Sequence, residues 1–107
     1  MEHLTGPSAL DALPKSGTAI LLKHGATCPI SSHARDEVMA FAEVHPDLPV
    51  YGVEVTANRD LSAKIAKQLG VTHQSPQVFV LREGEVTWHA EHYDITAQSL
   101  ASHATRS

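Results

Sequence analysis

One cysteine, Cys28, is present among 107 residues, so this chain cannot close a disulfide within itself. A lone thiol with no disulfide framework is what the reducing cytosol holds. Basic clusters are missing too: with a formal charge of −4 and scattered Lys and Arg, there is no concentrated patch for phosphates, and a nucleic-acid partner is not expected. The longest apolar run, Ala19-Ile20-Leu21-Leu22, falls far short of the roughly 20 residues of a membrane span. The opening residues, Met1 to Pro7, carry neither a basic leader nor a long apolar core, so no secretory signal is expected and the location read from sequence is cytoplasmic. Glycine-rich phosphate loops and nucleophile elbows are lacking, which removes phosphoryl-transfer and serine-hydrolase mechanisms.

What is present describes an ordinary globular chain. Hydrophobic residues make up 42% and charged residues 19%, and the length suits one domain spanning 1–107. Ser8 can cap a short helix over Ala9 to Leu13, stopped by Pro14. Thr18 to Lys23 is a continuous apolar run bounded by turn residues, the pattern of a strand buried on both faces. From Cys28 the period becomes helical, with Ile30, Ala34, Val38, Phe41 and Ala42 on one stripe until Pro46. A second strand lies between Pro49 and Thr56, then a helix capped by Asn58 and closed by Gly70. Gln77–Leu81 and Glu85–Ala90 are separated only by Arg82-Glu83-Gly84, so they form an antiparallel hairpin. Asp94 or Thr96 opens a last helix to about Ala104. The order predicts an α/β, thioredoxin-like fold: a mixed four-stranded sheet flanked by helices.

Cys28 stands where the buried strand gives way to the long helix. Pro29 suits the first helical turn, and free N–H groups with the positive end of the helix dipole favour thiolate over thiol there. The competing account makes Cys28 a small buried hydrophobe. Ser31 occupies the place of the second cysteine in a dithiol oxidoreductase; its hydroxyl can donate to the sulfur but cannot resolve a mixed disulfide, or it is simply a first-turn capping residue. In a thioredoxin-like fold Thr27 and Ser75-Pro76 frame the thiol, Pro76 as a cis proline with the Ser75 backbone open to an extended substrate; otherwise Pro76 only starts a strand. Lys23 and His24 can steer an anionic thiol or lower the sulfur pKa, the plainer account being a solvated lysine and a loop histidine. Eight histidines invite a metal site, yet His24, His33, His73, His89 and His92 show no paired zinc spacing, and none is expected.

Lys23-His24, then Thr27-Cys28-Pro29-Ile30-Ser31, then His73-Gln74-Ser75-Pro76-Gln77 resemble the monothiol bacilliredoxin family, small thioredoxin-like proteins. The likeness runs from about Thr18 to the last helix, and the Thr-Cys-Pro-Ile-Ser pentapeptide is its specific part. It implies removal of bacillithiol from S-bacillithiolated proteins, with bacillithiol as co-substrate and no tightly bound cofactor. The small Gly25-Ala26 loop leaves recognition of that thiol's sugar and malate unassigned. The same residues would serve a monothiol relative using glutathione or coenzyme A, or a non-catalytic binding or iron–sulfur carrier module.

Overall fold

The computed structural model describes residues 1–26 and 29–105. Five strands form one mixed sheet in the order β1-β3-β2-β4-β5, where β1 is Glu2–His3, β2 Thr18–His24, β3 Val50–Glu54, β4 Gln77–Arg82 and β5 Glu85–Glu91. Strand β2 pairs parallel with β3 and antiparallel with β4, and β4 pairs antiparallel with β5. Among the described residues three α-helices pack on the sheet: α1 Pro29–Val44, α2 Arg59–Leu69 and α3 Ala97–Ala104.

The four expected strands are joined by a fifth. Residues 2–3 are too short to show a periodicity, but they lie parallel to β3, and the Leu4 amide donates to the Gly52 carbonyl at 2.8 Å. The buried Leu4 anchors this edge.

Alternation along the central strands divides the core in two. Ile20 and Leu22 of β2, with Val78 and Val80 of β4, pack against Ala34, Val38, Phe41 and Leu100 of α1 and α3. Leu21, Phe79 and Leu81 point the other way, onto Leu61 and Ile65 of α2 and Leu10. A strand sandwiched between helices buries both its faces, which is why β2 reads as an unbroken apolar run. Burial along α1 follows Ser31, Ala34, Val38 and Phe41, so its first turn turns Ser31 inward and leaves Ile30 half-buried.

Three local expectations change. The segment after Gly6 is a 3-10 helix, Pro7–Ala12, with no side-chain cap. Asn58 does precede α2, but its side chain makes no cap bond; its Oδ1 accepts from Gly6 N–H at 3.2 Å and its Nδ2 donates to the Glu54 carbonyl at 3.0 Å. Of the two openers expected for α3, Thr96 is the one that caps it, in a reciprocal box with Ser99. The hairpin turn is two residues, Glu83 and Gly84, both at positive φ (54° and 81°), the twist that tight hairpins require.

Candidate active site

Parallel β2 and β3 end together, and antiparallel β4 begins beside them: His24 pairs with Glu54, and Lys23 with both Val53 and Gln77. This end of the sheet therefore gathers the β2–α1 connection, the β3–α2 turn and the Ser75–Pro76 peptide, which is cis. Carboxyl ends of parallel strands are where α/β folds place their ligands.

Thr27 and Cys28 lie outside the described residues. The chain on either side of them is held closely. Gly25 N–H donates to Ser31 Oγ at 2.9 Å, and Gly25 O accepts from Arg35 Nη1 at 2.7 Å. Ser31 and Arg35 are four apart on α1, so one helical face reaches back and holds both polar groups of a single loop residue. Ser31 is 1% exposed. The same Arg35 nitrogen lies 3.3 Å from His24 Nδ1. A guanidinium only donates, so Nδ1 accepts and the neutral ring carries its proton on Nε2. Burial, then the charge of Arg35, lowers the His24 pKa and keeps the ring neutral. His24 Nε2 is buried with no hydrogen-bond partner among the described residues.

Lys23 faces the other side of β2. It is 0% exposed, its Nζ donates to the Ser62 carbonyl of α2 at 3.3 Å, and burial lowers its pKa from 10.5 to about 8. Ser62 Oγ in turn lies 3.2 Å from His73 Nδ1, and His73 is lowered by desolvation and by the Lys23 charge. The solvated-lysine and loop-histidine readings thus give way: both side chains are buried at the end of β2, on opposite faces of the strand. Glu54 closes the β3–α2 turn. Its carboxylate accepts from Ala57 N–H at 2.7 Å and Thr56 N–H at 3.1 Å, and these bonds, Ala57 foremost and Ala26 N–H adding to them, hold its pKa below the usual carboxylate value.

Pro29 is the first residue of α1 and exposed; Ser75 is half-buried and Pro76 buried. The segment leading to Pro76 is tied down by Gln77, a fully buried amide whose Nε2 donates to Thr72 O at 3.1 Å and to Glu91 Oε2 at 3.0 Å. Sequence reading missed Arg35, Glu54 and Ser62. Arg35 had a findable signal, its i, i+4 relation to Ser31. Glu54 and Ser62 come from elements far away in the chain and had none. Among the described residues, no three of His, Cys, Asp or Glu cluster to hold a metal ion.

The fold is shared with known proteins. A solved structure provisionally described as an oxidoreductase with a thioredoxin fold is 36% identical, with a TM-score of 0.87 over 94% of this chain and 90% of that one. Thioredoxin of Fasciola hepatica superposes at a TM-score of 0.78 with 19% identity, over 99% of this chain and 98% of its own. Thioredoxin f2 of Chlamydomonas reinhardtii does so at 0.74 with 12% identity, over 100% and 99%; at such identities both show the fold alone. With its sole cysteine at the β2–α1 connection, the protein is a thioredoxin-fold thiol–disulfide oxidoreductase. The sequence model of monothiol bacilliredoxin BrxC matches residues 2–100, and the chain belongs to that family. No helix among the described residues is long and apolar enough to cross a membrane.

Proposed function

We propose that the protein removes bacillithiol from S-bacillithiolated proteins in the cytoplasm, with Cys28 as nucleophile and bacillithiol as co-substrate. The Cys28 thiolate attacks the bacillithiol sulfur of the mixed disulfide. A new bond forms between Cys28 and that sulfur, the old disulfide breaks, and the target leaves as a thiolate that takes a proton from solvent. A second bacillithiol thiolate then attacks the same sulfur, releasing Cys28 and oxidised bacillithiol. No metal or tightly bound cofactor takes part.

The observation that carries this reading is the combination of one cysteine in the whole chain with a serine three residues on whose oxygen is engaged by Gly25 N–H. A second thiol for internal resolution is absent, so the adduct must be cleared by a small thiol from outside. Pro29 at the start of α1 leaves first-turn N–H groups free to stabilise the thiolate, and the positive charge of Lys23 on β2 acts in the same sense. The Ser75 backbone, beside the cis Pro76, is offered to an extended substrate, and Thr27 precedes the nucleophile in sequence.

Intact mass after exposure to oxidised bacillithiol tests it: wild type gains one bacillithiol, and Cys28→Ser none. Release from a bacillithiolated peptide, faster than from its glutathionylated counterpart, is the accompanying requirement; equal release from both would sink the assignment.

A further inference from the structure

A groove of about 470 Å³ lies beside the thiol connection on the α2 side of the sheet, lined by Val55, Thr56, Arg59, Ser62, Ala63 and His73. Its volume falls within the usual range for small-molecule sites, roughly 300–1,000 Å³. It joins the described ends of the thiol loop directly, since Val55 N–H donates to the His24 carbonyl at 2.9 Å.

The chemistry of this groove is cationic and unsatisfied. Arg59, exposed on the first turn of α2, has no hydrogen-bond or ion-pair partner among the described residues, and it lines an adjoining hollow as well. Behind the wall, Lys23 is a fully buried ammonium whose one hydrogen bond among the described residues goes to an uncharged carbonyl. Buried charges are normally paired, so an ammonium without an anion leaves a positive field for a ligand to answer. His73 engages Ser62 through Nδ1, and among the described residues its Nε2 has no partner, which leaves it for a hydroxyl or carboxylate. No acidic side chain lines the groove: the Glu54 carboxylate accepts from the amides of its own turn, and Asp60 lines the adjoining hollow.

We propose that this groove binds the carboxylate-bearing end of the small thiol, with Arg59 as the carboxylate-binding residue and His73 as its polar neighbour. For bacillithiol, on which this inference rests, that end is the malate. Lys23 contributes charge from beneath without contact. The groove thereby selects a thiol that carries these carboxylates over one that lacks them.

The test compares release from two peptides, one disulfide-linked to bacillithiol and one to cysteinyl-glucosamine, which lacks malate. Wild type is expected to prefer the first at least tenfold in kcat/KM. Arg59→Gln brings the ratio toward one, and Lys67→Gln, on the exposed last turn of the same helix, leaves it intact. Raising ionic strength narrows the wild-type ratio, because a contact at the surface is screened. Equal handling of both peptides by wild type, or a ratio unmoved by Arg59→Gln, would overturn the groove while leaving debacillithiolation standing. Failure of wild type to release either peptide would instead overturn the proposed function, and this inference with it.

Discussion

Two side chains at the end of β2 show how burial alters what a residue can do. Lys23 is held neutral more easily than a free lysine because burial disfavours its charge. The unfolded chain keeps its proton up to the ordinary value of 10.5, whereas the folded protein releases it near 8, so the unfolded state binds more protons between these values and stability rises with pH across that window. Lys23→Met removes the penalty. Urea titrations should show the variant more stable than wild type at pH 7, by on the order of 2 kcal/mol, with the advantage shrinking toward pH 10.5. An advantage independent of pH would mean that packing, not charge, is responsible. His24 is lowered as well, so the same reasoning places its loss of stability on the acid side, as pH falls below the ordinary histidine value of 6.5. Arg35 is a positioning residue. Arg35→Gln should slow alkylation of Cys28 by iodoacetamide several-fold and shift its pH midpoint upward, with the far-ultraviolet spectrum unchanged, because Gly25 loses the donor to its carbonyl. An unaltered midpoint would show that the thiol does not feel this loop.

At the scale of elements, caps and turns decide where chains stop. In α3 the reciprocal Thr96–Ser99 box satisfies first-turn amides, and Glu37 of α1 adds an acceptor for Ala97 N–H at 3.0 Å. Thr96→Ala should therefore cost about 1 kcal/mol, read from denaturant midpoints, and leave thiol reactivity as it was. Ser31→Ala is the opposite case. It strips the acceptor from a half-buried Gly25 amide and should lower stability by about 1–3 kcal/mol, while slowing alkylation of Cys28 as the loop loosens. A serine that acted only on the sulfur would change the rate and spare the stability. These elements were well read from the chain: the hairpin, the Gly70 left-handed end of α2 and the Pro29 start of α1 all follow from local chemistry. Local sequence makes Asn58 a capping side chain, and nothing local reveals that Gly6, 52 residues away, competes for its oxygen.

For the molecule as a whole, the N-terminal segment matters more than its length suggests. β1 covers one edge of β3, and Leu4 is buried with Leu10, Val53 and Leu61. Leu4→Ala should cost about 2–4 kcal/mol in unfolding free energy, with one cooperative transition retained. A cost under 0.5 kcal/mol would show the strand to be a detachable flap.

Periodicity, turn residues and a solitary cysteine sufficed to determine the thioredoxin plan, the sequence junction of strand and helix that holds Cys28 and the lack of a second thiol in the chain, because each is read from the chain itself. The fifth strand, the two-sided hold on Gly25, the burial of Lys23 against Ser62 and the groove under Arg59 and His73 were decided by tertiary structure. Each of these joins residues from separate elements, and a side chain's partners, and with them its charge and hydrogen bonds, exist only once those elements have packed.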